Sequence, residues 1–105
     1  MIDTIKNIIG LGPKVDYKDF VAKGAIIMDV RTKEEFAGGH IKGSINIPLH
    51  ELNSHLNQFK DKEKTIITCC ASGGRSGSAK GLLESKGYKH VYNGGGWYSL
   101  QSKIQ

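Results

Sequence analysis

Two adjacent thiols, two adjacent glycines, two serines and an arginine fall within the run Thr68-Cys69-Cys70-Ala71-Ser72-Gly73-Gly74-Arg75-Ser76. A β-rich apolar stretch, Thr65-Ile66-Ile67-Thr68, leads into it, and a helical pattern from Ser76 to Lys86 leads out. A strand, a tight polar loop and a helix N-terminus gather backbone N–H groups around one point and make it attractive to anions. A cysteine at that point has its thiolate stabilised by the same donors, so its pKa falls and its nucleophilicity at neutral pH rises. Cys70 is the expected nucleophile.

Its neighbours take other roles. Cys69 ends the strand, so its side chain points opposite to that of Cys70 and packs inward. Arg75, at a helix start, opposes the macrodipole, a placement that makes sense with an anion nearby; it is expected to bind a ligand or brace the loop. Asp29 and Arg31 flank a strand end and read as a structural ion pair, because buried carboxylates are normally paired. His40, His50, His55 and His90 share no metal-ligand spacing with the cysteines, so neither zinc nor another cofactor is expected. His40 reads as a loop brace and Trp97 as core or pocket wall. The glycines at 94–96 lack the spacing of a dinucleotide fingerprint and read as a turn.

The elements that must hold this loop alternate along the chain. Asp16 caps a short helix through Lys23, with Phe20 and Val21 inward and Gly24 as its stop. Ala25-Ile-Ile-Met-Asp-Val30 is continuously apolar except at Asp29, the pattern of a strand covered on both faces. Thr32-Lys-Glu-Glu35 reads as a capping box opening a helical turn over Phe36. Residues 38–43 form a loop and Ser44–Ile47 a brief strand. Pro48 stands at the first position of a helix with Leu49, Leu52, Leu56 and Phe59 on one stripe. The strand over 65–69 and the cysteine loop follow. In the exit helix Ala79, Leu82 and Leu83 face inward and Gly87 closes it. His90-Val91-Tyr92 is a last short strand, Asn93–Gly96 a turn, and Trp97, Leu100 and Ile104 the stripe of a final helix. Strands alternating with helices predict an α/β domain, a small, mainly parallel sheet flanked by helices.

At 105 residues the chain has the length of one domain with a single core, here expected over 1–105. Residues 1–12 form an N-terminal extension in which Ile2, Ile5, Ile8 and Ile9 fall at helical spacing, and it is expected to pack on the domain. Fifteen Lys and Arg against ten Asp and Glu give a net charge of +5. The basic residues are scattered, which favours small anionic substrates over nucleic acid. No stretch is long and apolar enough to span a bilayer, and the first residues lack the plan of a signal peptide. Adjacent Cα atoms lie about 3.8 Å apart, too close for a relaxed disulfide. Reduced thiols and a cytoplasmic setting are therefore expected.

The sequence resembles the rhodanese (sulfurtransferase) family. Cys70-Ala-Ser-Gly-Gly-Arg75 is similar to its six-residue active-site loop, and further pieces match in order. These are Asp29-Val30-Arg31 with Glu35-Phe36, Gly39-His40-Ile41 with Gly43, Asn46-Ile47-Pro48, and Gly95 before Trp97. The likeness runs from about residue 14 to 104 and implies a rhodanese-like fold in which Cys70 carries a persulfide. Sulfur would move from a small anionic donor, thiosulfate or a persulfide, to a thiol or cyanide-like acceptor; a protein could serve as donor or acceptor. The amides of Ala71, Ser72, Gly73, Gly74 and Arg75 would hold the persulfide charge. The rival readings are a cysteine-based phosphatase or arsenate reductase on the same scaffold, led by Cys69, and a non-catalytic module for partner binding. Phosphatase loops of this kind place a histidine before the cysteine and a glycine three after it, whereas Thr68 and Ser72 hold those places around Cys69.

Many thiosulfate-using members carry a basic residue directly after the catalytic cysteine, where this chain has Ala71. Adding the charge with Ala71→Arg is expected to lower the KM for thiosulfate in a thiosulfate-to-cyanide assay. An unchanged affinity would count against a persulfide carrier with modest thiosulfate activity.

Overall fold

The computed structural model describes residues 15–105; the amphipathic piece predicted over residues 1–12 lies outside the described residues. The elements run α1 (Tyr17–Ala22), β1 (Ile26–Asp29), α2 (Lys33–Ala37), β2 (Ile45–Asn46), α3 (Leu52–His55), β3 (Thr65–Cys70), α4 (Gly74–Ser85), β4 (His90–Gly96) and α5 (Trp97–Ile104). Four parallel strands form one sheet in the order β2-β1-β3-β4. The cysteine strand, β3, thus lies inside the sheet, paired with β1 through Met28↔Thr68 and Asp29↔Cys69.

Local signals explain most boundaries. The Asp16 side chain accepts the Asp19 N–H at the start of α1, and Thr32 and Glu35 form the reciprocal capping box of α2. Gly24 and Gly87, both at positive φ, follow the ends of α1 and α4, as left-handed C-terminal glycines do. In β1, Ile27, Met28 and Asp29 are all buried, as is Val30 just beyond it, which a strand covered on both faces requires.

Because successive strand residues point to opposite faces, β3 divides its side chains between two cores. Ile66 and Cys70 join Met28, Leu52, Ala79, Leu83 and Val91 on the α3–α4 side. Ile67 and Cys69 join Ile27, Ile41 and Leu100 on the other, with Phe20, Trp97 and Ile104 packed against them. One residue of register therefore decides which thiol meets the loop.

Two segments differ from expectation. The stripe Leu49, Leu52, Leu56, Phe59 does not make one helix from Pro48. Pro48 stays extended as the N-cap; a 3-10 turn (Leu49–Glu51), α3 and a second 3-10 turn (Leu56–Gln58) follow. The apolar steps are three, four and three residues, and a three-residue step eclipses in a 3-10 turn.

Residues Asn93–Gly96 are not a turn either: β4 runs through them to Gly96. Its register to β3 slips between Thr68↔Asn93 and Cys70↔Gly96, which leaves one extra residue in β4, a β-bulge. The glycines are there for space. A Cβ on Gly94 would lie 2.8 Å from Leu100 Cδ2 and 2.9 Å from both Ile67 Cγ2 and Thr68 O, and one on Gly96 2.9 Å from Ala71 O. Gly95 has φ +80.

Gly94→Ala is therefore expected to lower stability by about 1–3 kcal/mol, read as a lower urea midpoint. Gly81→Ala, at a helical site with open space, is expected to raise stability by about 0.5–1 kcal/mol. The reverse order would contradict the packing described.

Candidate active site

Cys70 is the last residue of β3 and Gly74 the first of α4, so only Ala71–Gly73 turn the chain. Gly73 is the N-cap of α4 at φ +106 and offers no side chain to the free amides there. The sulfur of Cys70 takes the place of a capping oxygen. Gly73 N–H donates to Cys70 Sγ at 2.9 Å and Ser76 N–H, in the first turn, at 3.4 Å. Ser76 Oγ lies 3.3 Å from the same sulfur. Thr68 Oγ1 donates to Ser76 O at 2.8 Å, which ties the strand to that first turn.

Cys70 is only 1% exposed. Burial pushes its thiol up, but the Ser76 hydroxyl and the Ser76, Gly73 and Ser72 N–H groups outweigh that, and the pKa is held below the ordinary thiol value. Cys69 shows the opposite balance. It is fully buried and its thiol is pushed up to about 12, first by burial and then by the Asp29 charge, with Arg31 opposing. The expected division between the two cysteines is what the sheet produces, and Cys69 has no place in the loop from which to lead a phosphatase reaction.

Arg75 braces. Its guanidinium forms a fork on Glu35 of α2, NH1 to Oε1 at 2.6 Å and NH2 to Oε2 at 3.0 Å. Glu35 Oε1 also accepts from the N–H and hydroxyl of Thr32 at 3.0 and 3.1 Å. The anion beside this helix start is thus a carboxylate of the protein itself. The Arg75 hydrogen bond, then the Thr32 N–H, hold the Glu35 carboxyl well down, at about 2. Ala71, Ser72 and Gly74 are exposed at the rim of the loop and Gly73 is half-buried.

The Asp29–Arg31 pair is structural: Arg31 Nε donates to Asp29 Oδ1 at 3.0 Å and NH2 to Oδ2 at 2.7 Å. NH2 also donates to Gly39 O at 2.7 Å, and the guanidinium lies 4.8 Å over the Trp97 ring. His40 braces its loop, with Nδ1 2.7 Å from Phe36 O and its ring stacked on Phe36 at 3.7 Å. Beside Arg75 opens a mainly apolar groove lined by Val30, Thr32, Pro48, Leu49 and His50. Among the described residues, no group of three or more His, Cys, Asp or Glu converges on a point that could hold a metal ion.

Three contributors escape the sequence reading. Ser76 supplies both an amide and a hydroxyl to the sulfur. Its place in the first turn of α4 could have been inferred had the helix been started at Gly74. Asn93 reaches the same cluster from β4: Ser76 Oγ lies 2.6 Å from Asn93 Oδ1. Glu35 was legible as a helix cap but not as the partner of a residue 40 positions away.

The chain matches the model of the Rhodanese-like domain over residues 14–103. It is 41% identical over 70 residues to thiosulfate sulfurtransferase PspE of Escherichia coli (strain K12), a match covering 66% of this chain and 67% of that one. Among solved structures it is similar to a rhodanese with anions from E. coli, with 38% identity and a TM-score of 0.68 over 72% of this chain and 91% of that one. The human single-domain sulfurtransferase TSTD1 superposes with a TM-score of 0.75 at 30% identity, covering 90% of this chain and 99% of that one.

The Arg75–Glu35 fork makes an acid-range prediction. A carboxyl lowered in the folded state stabilises fully above its unfolded value and loses that contribution as pH falls through its folded value. The wild type should therefore be more stable than Glu35→Gln at neutral pH. The difference should shrink from about pH 4.5 and vanish near pH 2. Urea midpoints across that range check it; a gap that persists unchanged at the acid end contradicts it.

Proposed function

The chain belongs to the rhodanese-like domain family, and on that premise we propose that it is a sulfurtransferase whose Cys70 carries the moving sulfur as a persulfide. In the first half-reaction the Cys70 thiolate attacks the sulfane sulfur of an anionic donor. The donor's S–S bond breaks, its electron pair leaves with the departing group (sulfite, from thiosulfate), and Cys70 becomes Cys–S–S⁻. In the second, a thiol or cyanide-like acceptor attacks the outer sulfur, and the electron pair of the Cys70 S–S bond returns to Sγ. Covalent catalysis in two steps implies ping-pong kinetics.

The observation that carries this reading is the convergence of Gly73 N–H, Ser76 N–H and Ser76 Oγ on one sulfur. The two amides stabilise charge where it develops without reorganising during the reaction. They keep the thiol ready to ionise, so no separate base is needed, and they stabilise Sγ again as it leaves in the second step. The amides of Ala71–Arg75 complete the proposed cradle. A six-residue loop fits one sulfur atom; a phosphate would want one residue more.

Burial of Cys70 restricts the first half-reaction, in which the donor must reach Sγ itself, to a small donor. A sulfur added to Sγ stands about 2 Å beyond it, so the atom that an acceptor must reach is displaced from the covered position. With Arg75 committed to Glu35 and Ala71 uncharged, the cradle depends on amides rather than side-chain cations. That arrangement favours a singly charged persulfide donor over dianionic thiosulfate.

Intact-protein mass spectrometry after incubation with thiosulfate or a small persulfide tests the assignment. Wild type and Cys69→Ser should each gain the mass of one sulfur atom, and Cys70→Ser none. Sulfur uptake that survives Cys70→Ser would overturn it.

A further inference from the structure

The Ser76 hydroxyl has one proton and two neighbours that can claim it. One is Cys70 Sγ at 3.3 Å; the other is Asn93 Oδ1 at 2.6 Å. The orientation of the Asn93 amide follows from its remaining partners. Its Nδ2 lies 3.1 Å from Gly73 O, which can only accept, and its Oδ1 lies 3.0 Å from the Gly95 N–H, which can only donate. Asn93 Oδ1 therefore carries no proton, and Ser76 must be the donor in the 2.6 Å contact. With that proton committed, Ser76 Oγ can only accept from Cys70 S–H. The arrangement described is that of the neutral thiol.

Ionised, Cys70 becomes acceptor-only. Ser76 can then serve the sulfur only by turning its O–H away from Asn93, a rotation that moves no heavy atom. We infer that Asn93 is a positioning residue that competes with Cys70 for the Ser76 proton, so that Ser76 donates to Sγ only when that sulfur is charged. The backbone is built around this contact. The β4 bulge falls directly after Asn93, and α4 has glycine where it faces the amide: a Cβ on Gly77 would lie 3.2 Å from Asn93 Nδ2.

The inference rests on the persulfide reading for its role in turnover. In Cys–S–S⁻ the charge is on the outer sulfur and Sγ is neutral, so the Ser76 proton stays with Asn93. When the acceptor takes the outer sulfur, Sγ receives the electron pair of the broken bond and Ser76 swings its proton to it. Ser76 thus assists the departure of Sγ, and Asn93 keeps that help from being spent on the loaded state.

The charged and titratable groups around Cys70 are Arg75 of α4, Glu35 of α2 paired with it, the Asp29–Arg31 pair at the end of β1, and Cys69 on β3. None is altered by the test, which follows thiolate ultraviolet absorbance against pH in the full chain. Cys69, at about 12, is silent in the working range. The four proteins are wild type, Asn93→Ala, Ser76→Ala and the double variant.

With Ser76 present, Asn93→Ala should lower the Cys70 midpoint by roughly one pH unit, about tenfold more thiolate at a fixed pH below it. With Ser76→Ala, removing Asn93 should change nothing. If Asn93 only braces the loop through Gly73 O, its removal raises the midpoint alike in both backgrounds, and the inference fails. Should Asn93→Ala not fold, Asn93→Asp keeps an acceptor for Ser76 and should raise the midpoint more with Ser76 than with Ser76→Ala; equal rises overturn the idea. The titration uses unloaded enzyme and no sulfur donor, so its outcome is independent of sulfur uptake by Cys70.

Discussion

The N-terminus of α4 has no oxygen cap, and its free amides close on a sulfur instead. Helix starts leave N–H groups that must find an acceptor, and they carry partial positive charge. Gly73, with no side chain, leaves that demand to Cys70, whose Sγ lies within reach of the Gly73 and Ser76 amides. A requirement of helix structure and the stabilisation of a thiolate become the same set of hydrogen bonds. A hydrogen bond to a charged acceptor is worth about 1.5–3 kcal/mol, and one pKa unit corresponds to about 1.4 kcal/mol. Such bonds act against burial at Cys70, whose pKa is lowered on balance, while Cys69, one residue away without them, goes the other way.

The surrounding fold keeps this small cup in register. Pairing between β1 and β3 fixes which face each thiol takes. The buried Thr68 hydroxyl holds the first turn of α4 against β3, and the Arg75–Glu35 fork anchors the same turn to α2. On the far side, the glycines of β4 let its backbone run beside Ala71 and Thr68 at distances that a side chain would forbid. That approach is what brings Asn93 to Ser76.

The sequence made some of this plain and hid the rest, for physical reasons. Capping chemistry is local, so Asp16, the Thr32–Glu35 box, Gly24 and Gly87 marked helix ends correctly. The continuous apolar run of β1 announced a strand buried on both faces, and β alternation separated Cys69 from Cys70. Much of what failed depended on tertiary contact. The glycines at 94–96 look like a turn until Leu100, Ile67 and Ala71 are seen pressing on them. Ser76 and Asn93 are 17 residues apart and meet only because β4 lies beside β3. Arg75 marked an ionic contact at the helix start, but no local rule could name Glu35 as its partner.

Main-chain amides stabilise the anionic form of the Cys70 sulfur, and amide NMR reads that at those two bonds. With the Gly73 and Ser76 N–H resonances followed against pH, both should shift downfield together at a single midpoint below the ordinary thiol range. In Cys70→Ser neither should titrate. Resonances that stay still in the wild type, or that shift equally when the sulfur is gone, would contradict the account.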